Sequence, residues 1–217
     1  MMSDRHEVAA RIVDGGVVAV LRGVDSDAVV DVAAALCEGG VGAIEVTADT
    51  PGAMEAIAEV ASSLPEGEAA VGAGTVLDAE TARSAMLAGA EFVVAPTLSR
   101  DVVEVCNRYG VPVAPGVMTP TEALRAYEAG ADLVKVFPAA TLGPGHLESL
   151  KGPLEQIPLM PTGGVTLDNV ADFVGAGAAC VGVGSALVDD DAVARGDFDA
   201  VAERAREFVR AVESARE

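Results

Sequence analysis

Lysine is nearly absent. Of the 14 Lys and Arg residues only Lys135 and Lys151 are lysines, against 34 Asp and Glu, and the formal net charge is −20. Such a balance excludes a basic surface of the kind nucleic acids require. Histidine is limited to His6 and His146, and cysteine to Cys37, Cys106 and Cys180. The three cysteines are odd in number, far apart and without CxxC spacing, so they read as buried free thiols of a reducing, cytoplasmic setting. No His/Cys metal cluster can be drawn from these residues, and a Ser–His–Asp arrangement would have to recruit one of two histidines. No apolar run approaches the ~18 residues of a membrane span. The opening residues 1–7, Met-Met-Ser-Asp-Arg-His-Glu, are polar and acidic, unlike a signal peptide. An acidic surface that prefers arginine to lysine is that of a salt-adapted protein, since at ~1 M salt a Debye length of about 3 Å screens the self-repulsion.

What is present is a regular beat. Hydrophobic residues make up 51 % of 217, with 24 glycines, enough for one large core. Eight short apolar runs recur: 17–21, 43–47, 69–73, 92–95, 111–114, 133–136, 159–161 and 180–183. Between them lie amphipathic, alanine-rich segments at 27–37, 52–62, 79–87, 100–108, 121–128, 145–150 and 167–174. Several close on glycine (Gly39-Gly40, Gly89, Gly130, Gly177), as helices do before a following strand. A lead-in helix over about 5–14 and a closing helix over about 199–214 complete a single domain spanning 1–217. Eight strand–helix alternations predict a (β/α)₈ barrel. An open doubly wound sheet is the other solution, but its GxGxxG turn is missing.

In a barrel the chemistry sits at the C-terminal strand ends. Lys135 lies inside Leu133-Val-Lys-Val-Phe-Pro138, where a cation is costly without a use or a partner. A water-poor interior favours the neutral amine, a nucleophile able to form a Schiff base with a ketone. Glu45, inside Ala43-Ile-Glu-Val-Thr47, repeats the pattern as a carboxyl with a raised pKa, suited to moving protons. A structural ion pair between the two stays open at this point. Gly163-Gly164 and Gly184-Ser185, after the seventh and eighth runs, suit a phosphate cradle of backbone N–H groups, or simply close strand–helix packing.

Gly72–Val76 (GAGTV), Pro115–Glu122 (PGVMTPTE), Lys135–Pro138 (KVFP), Pro161–Val165 (PTGGV) and Gly182–Val188 (GVGSALV) resemble the bacterial-type 2-keto-3-deoxy-6-phosphogluconate/4-hydroxy-2-oxoglutarate aldolases. The resemblance runs from about Val17 to Val188. It implies a (β/α)₈ homotrimer working by a metal-free class I mechanism without a cofactor, in the Entner–Doudoroff pathway. Its substrate would be a phosphorylated keto-acid, cleaved reversibly to pyruvate and glyceraldehyde 3-phosphate. Carried over by position, Lys135 would form the Schiff base and Glu45 would shuttle protons through water. Thr47 and Thr75 would belong to the pyruvate pocket, with Pro96 and Phe137 as walls; Gly163, Gly164, Gly184 and Ser185 would take the phosphate.

Many family members carry an arginine two positions beyond the strand-2 threonine. Here that position is Asp49. Other members place an arginine after strand 1, and Val18-Ala-Val-Leu-Arg22 matches them. The resemblance therefore implies that Arg22 binds the substrate carboxylate, with Asp49 pointing away from the dianionic substrate; the alternative is a rim arginine in a surface ion pair. Alternatives are the galactonate epimer, the unphosphorylated keto-acid or 4-hydroxy-2-oxoglutarate as substrate, a phosphate-binding barrel isomerase or synthase, and a non-catalytic phosphosugar-binding barrel.

Overall fold

A computed structural model describes residues 4–217; Met1, Met2 and Ser3, read above as part of a non-signal N-terminus, lie outside the described residues. The strands are β1 Val17–Leu21, β2 Ala43–Thr47, β3 Ala70–Gly74, β4 Phe92–Val94, β5 Val113–Ala114, β6 Gly116–Val117, β7 Val134–Val136, β8 Leu159–Pro161 and β9 Val181–Val183. The helices are α1 Arg5–Gly15, α2 Ser26–Glu38, α3 Ala53–Ser63, α4 Ala79–Leu87, α5 Arg100–Tyr109, α6 Pro120–Glu128, α7 Ala139–Leu142, α8 Pro144–Lys151, α9 Val170–Gly175, α10 Asp190–Ala194 and α11 Phe198–Arg216.

The fold is α/β with a curled, all-parallel sheet. Strands run in the order β5-β4-β3-β2-β1-β9, and β6-β7-β8 form a second group. Apart from the β1–β9 pair, which joins the first strand to the last, neighbours are consecutive in sequence, unlike the strand order of a doubly wound sheet. Isolated parallel bridges Leu159↔Ala178 and Thr162↔Gly182 link the β8 segment to that of β9. The run expected at 111–114 is shortened and split: Pro112 and Pro115 supply no N–H, so β5 starts at Val113 and β6 begins beyond Pro115. The short helices α7 and α10 were not foreseen. The seventh segment becomes helical only at Val170, because Thr166 N–H donates to the Asn169 side chain and opens with a turn.

Strand side chains alternate between two faces. One set, including Val17, Ile44, Val71, Val134 and Val181, packs against the helices. The other, including Val18, Ala43, Ala70, Phe92, Leu133 and Met160, points inward and meets Val8 and Ile12 of α1, which closes one end of the sheet. Arg5 anchors that helix through both carboxylate oxygens of Asp132, at 2.7 and 2.8 Å. The period of two then sends Glu45, two residues after Ala43, and Lys135, two after Leu133, to the same inner face toward the open end. All three cysteines are free; burial pushes Cys106 and Cys180 up to about 12 and half-buried Cys37 up to about 11.

Candidate active site

A cavity of about 350 Å³ opens at the C-terminal ends of the strands. Arg22, Lys135, Phe137, Gly163, Gly164, Gly184 and Ser185 line it, which brings seven of the sequence-selected residues together. Lys135 is only 5 % exposed. Its backbone N–H donates to Pro115 at 3.0 Å, and its Nζ stands 5.3 Å from the centroid of the Phe137 ring. The Phe137–Pro138 peptide is cis.

Glu45 is 1 % exposed and is not among the residues that line the cavity. Its Oε1 has no hydrogen-bond partner. Burial holds the carboxyl above the usual carboxylate range, while the positive charges of Lys135 and Arg22 pull it back. Among the described residues no ion pair joins Glu45 to Lys135. Gly74 makes room for the carboxyl: a Cβ there would lie 2.4 Å from Oε1.

Arg22 reaches across the mouth. One guanidinium nitrogen donates to the Thr75 hydroxyl at 2.9 Å, and another pairs with Asp49. Asp49 therefore does not point away from the site, as the sequence suggested; the turn after β2 (residues 48–52) brings its carboxylate onto the arginine. Thr75 holds a left-handed backbone (φ 55°), a conformation that costs a β-branched residue about 1–3 kcal/mol and keeps its hydroxyl toward Arg22. Thr47 is fully buried, off the cavity wall, and its hydroxyl bonds that of Thr50 at 3.0 Å. Pro96 also stands off the cavity, with its carbonyl against Gly116, where a Cβ would come within 2.3 Å.

The Gly184-Ser185 turn lies beside Arg22, because β9 pairs with β1, and the Gly163-Gly164 turn lines the same cavity. Gly163 and Gly164 both have positive φ (90° and 80°). Added Cβ atoms would meet the Phe137 ring at 2.9 Å and the Ala140 Cβ at 2.3 Å. Among the described residues the N–H groups of Gly163, Gly164 and Ser185 have no protein acceptor, which leaves them free for an anion. Sequence reasoning placed Thr162 in the Pro161–Val165 motif but gave it no role; it is 6 % exposed and shares the cavity wall. Its signal was parity with Met160, which points inward from β8. Asp190 also lines this wall; nothing in its Asp189-Asp-Asp191 run marked it.

The family model described as "Aldolase: KDPG and KHG aldolase" matches residues 8–204. A 2-dehydro-3-deoxy-phosphogluconate aldolase of Treponema pallidum is 40 % identical over 173 residues, covering 79 % of this chain and 81 % of that one. A 2-dehydro-3-deoxy-6-phosphogalactonate aldolase of Escherichia coli is 33 % identical, covering 91 % of this chain and 95 % of that one. Among solved structures, KDPG aldolase from Legionella pneumophila with pyruvate captured as a covalent carbinolamine superposes with a TM-score of 0.86. It is 28 % identical and covers 92 % of this chain and 97 % of that one.

Proposed function

The chain belongs to the KDPG and KHG aldolase family, and we propose that it cleaves 2-keto-3-deoxy-6-phosphogluconate reversibly to pyruvate and glyceraldehyde 3-phosphate through a Schiff base on Lys135. The observation that carries this reading is a buried amine on the wall of a cavity that also holds a guanidinium and a row of free backbone N–H groups.

The Lys135 amine, once it has given up its proton, attacks the C2 ketone to give a carbinolamine, and loss of water gives the iminium. Glu45, neutral when it carries its proton, donates that proton to the departing hydroxyl by way of water. The iminium then accepts the electron pair of the breaking C3–C4 bond as the C4 hydroxyl loses its proton to Glu45. The aldehyde departs, the remaining enamine is protonated at C3, and hydrolysis returns pyruvate and the free amine. Arg22 and Thr75 hold the carboxylate, Phe137 shapes the pyruvate end, and Gly163, Gly164, Gly184 and Ser185 take the phosphate. This reading joins the two strand groups through the β5–β6 continuation and the β8–β9 bridges into one (β/α)₈ domain over 1–217. It also includes assembly as a homotrimer and residence in the reducing cytoplasm, which free thiols suit.

Borohydride reduction in the presence of pyruvate tests the assignment. The parent and Lys151→Ala gain the mass of a reduced pyruvate adduct and Lys135→Ala does not. Lys151 is a fair control because its ammonium is engaged by the Glu155 and Ile157 carbonyls at 2.6 and 3.1 Å. An adduct that persists without Lys135 removes that lysine from the mechanism. One observation favours a second reading, the unphosphorylated keto-acid as substrate. Asp190 lines the cavity, and among the described residues Arg22 and Lys135 are its only cationic lining residues. Comparing kcat/KM with and without the phosphate separates the two.

A further inference from the structure

We propose that Asp49 is a positioning residue that holds the Arg22 guanidinium over the cavity mouth for the substrate carboxylate, an assignment that rests on the aldolase reading above. Arg22 leaves the end of β1 with its side chain 58 % exposed. A long side chain that exposed samples many rotamers, and binding must then bear the cost of ordering it. Two contacts restrain its head: the Thr75 hydroxyl at 2.9 Å and the Asp49 carboxylate.

The turn that carries Asp49 is itself tied down. Ala48 N–H donates to the Gly74 carbonyl at 2.8 Å and Thr50 N–H to Thr47 at 3.0 Å. The Thr50 hydroxyl accepts from Gly23 N–H, next to Arg22, at 3.1 Å. The turn after β2 thus grips the turn after β1 twice, at the backbone through Thr50 and at the guanidinium through Asp49. A guanidinium has five N–H donors; the Asp49 and Thr75 bonds engage two nitrogens with one donor each, so donors remain for an incoming carboxylate. Asp49 gives Arg22 a fixed aim without exhausting it.

The opposite role is competition, with Asp49 occupying the donors the substrate needs, and the two roles predict opposite signs. Asp49→Ala is expected to raise the KM for 2-keto-3-deoxy-6-phosphogluconate, and the pyruvate concentration for half-maximal borohydride trapping, by about three- to tenfold, the factor for one side chain that must be ordered on binding. The kcat is expected to stay within about twofold. Asp49→Asn, which keeps an acceptor oxygen, is expected to fall between Asp49→Ala and the parent, and melting temperatures show that each variant is folded. In an Arg22→Ala background, Asp49→Ala is expected to add nothing, because its effect passes through the arginine.

A KM equal to or below the parent's, or additive effects in the double variant, overturns the role of Asp49. If the parent traps pyruvate while KM stays unmoved, only the Asp49 assignment falls. If the parent forms no adduct, the aldolase reading falls with it.

Discussion

Glu45 links the proposed proton transfer to stability. Its carboxyl is raised from the ordinary value of 4.5 by burial, so on raising pH the unfolded chain releases this proton before the folded one. The stabilisation is therefore complete below about 4.5 and is lost as pH climbs through the raised value. Glu45→Gln stays neutral at every pH. It is expected to melt above the parent at pH 8, by about 2–4 °C for each kcal/mol recovered, and together with it at pH 4. The same variant loses about 10²- to 10⁴-fold in kcat if the carboxyl moves protons. A parent that melts higher than Glu45→Gln at pH 8 would mean the carboxylate has a partner when folded. For Lys135→Ala the expected loss in kcat is at least about a thousandfold, since the residual site can bind but not form the covalent intermediate. Both residues were legible in the sequence because a charged side chain inside a β-branched run stands out. Asp49 was misread because its neighbour in space, Arg22, is 27 residues away in a different turn.

At the scale of elements, most strands and helices were legible to within two residues. The Pro115–Glu122 motif shows how local chemistry sets a boundary. Thr119 and Glu122 form a reciprocal capping box, and Pro120 occupies the first turn, so α6 starts where the motif says it must. The departures have equally local causes, with proline interrupting the fifth run and α7 and α10 too short, at four and five residues, to show a period. The attachment of α1 was invisible in advance. Asp132 accepts from Arg5 and also from the Val113 backbone at 2.8 Å, and Arg5 reaches Asn107 at 2.7 Å as well. The Arg5 and Asp132 side chains are only 23 % and 13 % exposed. Asp132→Ala leaves the Val113 N–H without its acceptor and takes the carboxylate from Arg5, which keeps only Asn107 and the Gly130 carbonyl among the described residues. It is expected to lower stability by about 2–3 kcal/mol, roughly 5–10 °C in melting temperature, with activity at 25 °C retained. A melting point within 1 °C of the parent, on the order of a quarter kcal/mol, would show that the helix is held by its apolar face alone.

For the whole molecule, charge is the dominant variable. With a formal charge of −20, and with surface pairs such as Arg204–Glu207 that neutralise only a few of the acids, self-repulsion opposes compaction. Screening relieves that repulsion more than it weakens the few pairs. The melting temperature is therefore expected to rise by about 5–10 °C between 0.05 and 2 M KCl; a fall would show that the pairs outweigh the repulsion. The sequence by itself determined the parallel α/β alternation, the helix stops and the inward parity of Glu45 and Lys135, because strand periodicity and glycine chemistry act over a few residues. Only the tertiary structure decided that Glu45 is buried off the cavity lining, that Thr47 spends its hydroxyl on Thr50, and that Asp49 takes hold of Arg22. Those outcomes depend on how far the sheet curls and where separate turns come to rest, and long-range packing, not local spacing, sets both.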